Sequence, residues 1–188
     1  MRAKNKAMAA VLILGSGALL AGCSGHSAGS GGGSAGNATT QAMLAAWKSG
    51  TCPASGAGWT GFASGMPLPT AKAGQPVALL PGSVTRIVLC RFDLDTSVLT
   101  GSALLTDTST VARLRSDLNT VTAVATSSCI QGDQVMILAG DGDNVIGINT
   151  MVGPCPFLNT QTQFADYSKT SLGHDLTAAL GPVATPTS

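Results

Sequence analysis

The sequence predicts an α+β domain in which a small antiparallel sheet carries helices packed on one face, braced by two disulfides. Three observations support that class: a β-branched run at 84–92, a Gly-Asp hairpin signal at 140–143 between two apolar segments, and helical stripes on either side of that hairpin. The order strand, helix, hairpin, helix favours an antiparallel sheet over a parallel one. About 130 residues, 52–181, suffice for one real core.

Thr39-Thr40-Gln41 followed by Met43, Leu44 and Trp47 reads as a short helix with a Thr cap and Gly50 as its stop. Residues 51–82, rich in Gly and Pro, read as a long irregular connection. Trp59 and Phe62 either pin that connection to the core or line a binding surface. Val84–Phe92, starting just after Pro81-Gly82, is the clearest strand, and 98–106 is a weaker second. Asp107-Thr108-Ser109 caps a helix whose Val111, Leu114, Leu118 and Val121 share one stripe. Arg113 and Arg115 fall off that stripe and read as a solvated face. Gln134–Leu138 and Asn144–Asn149 flank Gly140-Asp141-Gly142-Asp143 as a hairpin. Residues 160–180 supply a last strand and a helix carrying Leu172, Leu176, Ala179 and Leu180, ended by Gly181-Pro182.

The 188 residues hold ten Lys+Arg and nine acids, all of them Asp. Arg2, Lys4 and Lys6 supply the positive excess, so from residue 23 onward the formal charge is 7 − 9 = −2. No basic face remains to neutralise phosphates, which excludes a nucleic-acid partner. After those cations comes an uncharged stretch of 16 residues, Ala7 to Gly22, shorter than the roughly 20 a spanning helix needs. That order is a secretory signal peptide. Its end, Leu20-Ala21-Gly22-Cys23, resembles the lipobox of bacterial lipoproteins. The resemblance implies cleavage before Cys23, a diacylglyceryl thioether on its sulfur and acylation, as by palmitate, of the new amino end. Two or three acyl chains anchor stably where one binds marginally. The implied partner is the lipid bilayer, and the implied location is the outer, extracytoplasmic face of the cell membrane.

In Ser24–Gly36, ten of thirteen residues are Gly or Ser, a composition that predicts a flexible tether of roughly 20 Å end to end. The expected organisation is therefore a signal peptide (1–22), a lipidated cysteine and tether (23–38), one extracytoplasmic domain (39–182) and a disordered tail (183–188).

Four cysteines remain beyond Cys23, and an even number in an exported chain implies two disulfides out of three possible pairings. Cys129 and Cys155 each lie thirteen residues from Gly142, so the hairpin brings them nearly opposite one another. Cys52 is left to pair with Cys90. Spacings of 38, 39 and 26 contain no close pair of metal-ligand type, so no metal or cofactor is expected.

Groups suited to chemistry are few. His26 lies in the tether, and His174, followed by Asp175, is the one candidate base of its type; no G-x-S-x-G elbow accompanies it. His174 reads as an exposed helix residue, which ranks an envelope hydrolase last. Asp141, Asp143 and Asn144 miss the calcium-loop pattern at Val145 and suit a tight turn. Asp93 and Asp95 read as strand-end polar residues.

The succession of strand with cysteine, helix, Cys129, hairpin with Asp141-Gly142 at its tip and Cys155 resembles, over residues 84–155, the subtilisin-inhibitor-like family. That resemblance implies a protease-facing loop at Cys129-Ile130-Gln131-Gly132, with Gln131 entering the specificity pocket. This helix lacks the cysteine that in the family joins strand to helix. The order of cysteines also resembles small lipoproteins of unknown function from bacteria with GC-rich genomes. The expectation is a non-enzymatic, membrane-anchored module with a binding or structural role toward an unidentified envelope protein or ligand; the alternative is a lipid-anchored serine-protease inhibitor.

Overall fold

The structure, a computed structural model, describes residues 32–80, 82–126, 129 and 131–181, with backbone alone for 32–37. Along the chain run α1 (Gly32–Ser49), β1 (Phe62–Ser64), β2 (Arg86–Phe92), β3 (Leu99–Leu105), α2 (Thr108–Leu118), β4 (Thr122–Val124), β5 (Asp133–Asp141), β6 (Asn144–Val152), β7 (Phe157–Asn159), β8 (Phe164–Asp166) and α3 (Leu172–Leu180). The class is α+β, as the sequence implies.

All eight described strands form one antiparallel sheet, seven of them in the order β3-β2-β5-β6-β7-β8-β4 and β1 paired with β6 off that path. The far edge of β6 is shared: β1 pairs with residues 145–147 and β7 with 149–150. At the hairpin tip Asp141 stands opposite Asn144, leaving a two-residue turn in which Gly142 takes φ 57°. A left-handed first position is what a right-twisted hairpin requires.

Helices cover both faces, which corrects the expectation of one. Ile87 and Leu89 of β2 pack with Val111, Leu114 and Leu118 of α2 and Leu172 and Leu176 of α3. Val88, Cys90 and Phe92 point the other way and pack with Met43, Ala46 and Trp47 of α1. A strand buried on both faces needs apolar residues without alternation, and β2 is buried at every position from Ile87 to Phe92.

Helix α1 begins at Gly32, so residues 32–38, read from sequence as tether, belong to it, and Thr39 lies inside the helix instead of capping it. Extending an existing helix costs far less than nucleating one, so a helix anchored through Met43 and Trp47 can run back into a Gly/Ser tract. Its stop is as read: Gly50 takes φ 70° and its N–H donates to Ala46 O at 2.9 Å. Helix α2 starts at the expected cap, with Asp107 Oδ2 accepting from Thr110 N at 2.9 Å. Residues 51–82 contain β1, and Trp59 and Phe62 are both buried, with Trp59 edge-on to Phe92 at 5.5 Å. They are core residues, not a binding surface. Gly147 leaves room for the Phe62 ring, which a Cβ there would overlap.

The hairpin tip is clamped to α1. Trp47 Nε1 donates to Gly142 O at 2.8 Å, and the Arg86 guanidinium sits 4.0 Å over the Trp47 ring while donating to Trp47 O.

Candidate functional site

Cys23, the lipobox-like Leu20-Ala21-Gly22 before it, His26 and the 183–188 tail lie outside the described residues. The other four cysteines pair as the hairpin argument requires. Cys52 and Cys90 have Cα atoms 5.6 Å apart, and Cys129 and Cys155 5.7 Å apart, both forming disulfides. The first joins the segment after α1 to the buried centre of β2. The second ties the entry to β5 to the exit from β6, at the end of the sheet opposite the turn.

Beside that second crosslink runs the segment Cys129–Gly132. Cys129 and Gln131 are exposed, Ile130 lies outside the described residues, and Gly132 takes φ 101° where a Cβ would overlap Val152 O. The backbone closes tightly onto β6 immediately after Gln131, and only glycine fits that approach.

A cavity of about 560 Å³ opens near the same end between the exit of β6, the 167–170 turn and α3, lined among others by Tyr167, Ser168, Gly173 and His174. The Tyr167 hydroxyl donates to Met151 O, and burial raises its pKa. His174 is 84% exposed, with Nδ1 3.4 Å from Asp175 Oδ1. Asp175 is only 7% exposed and receives Arg113 Nε at 2.8 Å on Oδ2. Arg113 therefore ties α2 to α3 rather than standing on a purely solvated face, while Arg115 is only partly buried. A nucleophilic triad needs a hydroxyl hydrogen-bonded to the imidazole. Among the described residues no hydrogen bond joins Ser168 to His174, and the carboxylate beside the imidazole is taken by Arg113.

The acidic candidates serve turns. Asp141 accepts from Thr85 Oγ1 at 3.2 Å and Ser83 Oγ at 3.5 Å, fastening the segment before β2 to the hairpin tip. Asp93 Oδ1 accepts from Thr96 Oγ1 at 2.7 Å and Thr96 N at 2.8 Å, and those bonds lower its pKa, while Asp95 is exposed. Among the described residues no three His, Cys, Asp or Glu side chains converge to hold a metal ion.

Two polar features escaped sequence reasoning. Arg91, 5% exposed, donates from Nη1 to Gly181 O at 2.8 Å beyond the C-terminal end of α3, and its Nε lies 3.6 Å from Asp133. Burial raises the Asp133 pKa against the pull of Arg91. A cation between Cys90 and Phe92, inside the apolar part of the strand, is the available signal. The second feature is Asn149, whose Oδ1 is buried with no hydrogen-bond partner among the described residues. Nothing in the sequence marks it, because Asn beside a hairpin is ordinary.

Comparisons with family models, with curated proteins and with solved structures found no match to this chain.

Proposed function

We propose that this chain is a lipoprotein held on the extracytoplasmic face of the cell membrane by acylated Cys23, with a non-catalytic binding or structural role at the envelope. The observation that carries this reading is Leu20-Ala21-Gly22-Cys23 standing directly after a basic start and a short apolar run. The two disulfides support it, since such crosslinks persist in oxidising compartments outside the cytosol. The described residues contain no helix long and apolar enough to cross a membrane. In this reading the anchor is the acyl chains on Cys23, since two or three such chains hold stably where one binds marginally. A binding role is favoured over hydrolysis because His174, the one histidine in the domain, is largely exposed and its neighbouring carboxylate is committed to Arg113. Cys23→Ala should move the protein from the detergent phase to the aqueous phase on phase partition. A variant still retained with detergent would refute the anchor.

The exposure of Gln131 beside the Cys129–Cys155 crosslink favours a second reading, a serine-protease inhibitor acting through Cys129–Gly132. Subtilisin should then be inhibited stoichiometrically with slow cleavage at Gln131, whereas rapid degradation without inhibition would remove this reading.

A further inference from the structure

The sheet face that carries α1 is covered by that helix over Val88, Leu138 and Val145, toward the hairpin tip. Farther from the tip no described helix lines the same face. Three carboxamides stand there, Gln134 on β5, Asn149 on β6 and Asn159 on β7, around a cavity of about 370 Å³. Their shared face follows from the pleat, because Met136 and Leu138, two and four residues beyond Gln134, belong to the α1 core. Asn149 stands opposite Asn159, and Asn159 opposite Phe164, so these side chains form one row across β6, β7 and β8. Met151 and Phe157 complete the floor, and Leu94 borders it. Of the four large apolar side chains exposed among the described residues, two are Leu94 (37%) and Phe164 (38%), one on either side of this cavity.

The lining selects a ligand chemistry. No lining residue is ionisable, so a charged ligand would find no counter-charge. Each carboxamide offers both donor and acceptor, the complement of a hydroxyl, which also donates and accepts. Gln134 Nε2 is engaged with Trp59 O at 3.3 Å, and its carbonyl remains to accept. Asn149 Oδ1 is the one buried side-chain polar atom without a partner among the described residues, and a half-turn of the carboxamide would only exchange an orphaned acceptor for an orphaned donor. A purely apolar ligand such as an acyl chain would leave these amides desolvated and unpaired. An extended peptide is disfavoured because the cavity lies on a sheet face, where the backbone groups that would capture a strand are already paired within the ladders. A cavity near the small end of the ligand range, about 300–1,000 Å³, suits a single ring.

We propose that this cavity binds one uncharged sugar residue, its hydroxyls held by Asn149, Asn159 and Gln134 and its C–H face laid against Phe164. The inference names a ligand for the binding role proposed above and rests on that reading, but not on the lipid anchor.

The test is saturation-transfer NMR on the full chain with millimolar methyl glycosides of glucose, galactose and mannose and with N-acetylglucosamine, run beside glucuronate and N-acetyl-dialanine amide. The expected result is transfer to at least one neutral sugar, with affinity reduced about tenfold by Asn149→Ser and by Phe164→Ala. Phe164 is part-exposed and Asn149→Ser keeps a polar group, and retained disulfides and an unchanged melting temperature would show that both variants fold. Transfer to none of the neutral sugars, stronger transfer to glucuronate or the peptide, or sugar binding indifferent to both substitutions would overturn the proposal. A chain that partitions with detergent yet takes no sugar refutes the ligand alone, and one that binds sugar but does not partition refutes the anchor alone.

Discussion

The two disulfides should differ in what they contribute, for a reason that lies in packing rather than loop length. Replacing Cys52 and Cys90 together by Ala opens a loop of 38 residues, and replacing Cys129 and Cys155 opens one of 26. On the chain-entropy account these loops are worth about 3.9 and about 3.5 kcal/mol, a difference too small to rank them. Burial separates them. Cys90 is fully buried and Cys52 8% exposed, in a cluster with Trp47, Trp59 and Phe92. Removing both sulfurs there adds lost transfer energy and a residual cavity, together about 2 kcal/mol. At the other crosslink only Cys155 is buried, and the added cost is about 1 kcal/mol. The expected losses are thus about 6 and about 4.5 kcal/mol, against a typical total of about 5–15. Urea unfolding read by tryptophan fluorescence measures both, because Trp47 and Trp59 sit in the affected cluster. Mild reductant followed by peptide mapping should also open Cys129–Cys155 first, since Cys129 is exposed. Equal losses, or a larger loss at Cys129–Cys155, would refute the assignment of the difference to core packing.

Two further predictions concern the helices. The Ser109 hydroxyl and the Thr110 N–H lower the Asp107 pKa from 3.8 to about 2, so its capping contribution is complete above 3.8 and disappears as pH falls toward 2. The urea midpoint of the wild type should therefore fall through that window more steeply than that of Asp107→Asn, and parallel curves would show that the cap does not titrate. Arg113→Ala leaves the buried Asp175 carboxylate without its cation and should cost about 1–3 kcal/mol, reduced from the fully buried case because Arg113 is 58% exposed. Adding Asp175→Asn should recover part of that loss in a double-mutant cycle.

Legibility followed the range of the interactions. The Asp107 cap, the Val111-Leu114-Leu118 stripe and the two-residue turn at Gly142 are each decided within a few residues, and each was readable. Strands β1, β4 and β7 have three residues apiece and exist because a partner supplies their hydrogen bonds, so they carry no pattern of their own. The second helical face is signalled in sequence only by Ile87–Cys90, four consecutive apolar residues in β2, since a strand solvated on one face alternates. Arg113 carries no local sign of its ion pair, because its partner Asp175 lies 62 residues away.

By itself the sequence determined the α+β class and the cysteine pairing, and it supplied the Leu20–Cys23 resemblance on which the anchoring proposal rests, because charge order, cap chemistry and hairpin arithmetic act over short stretches of chain. Only the tertiary structure decided that α1 covers one part of its sheet face and leaves another open, and that Asn149, Asn159 and Phe164 line up across three strands there. That row depends on register, and register is set by the packing of the whole sheet.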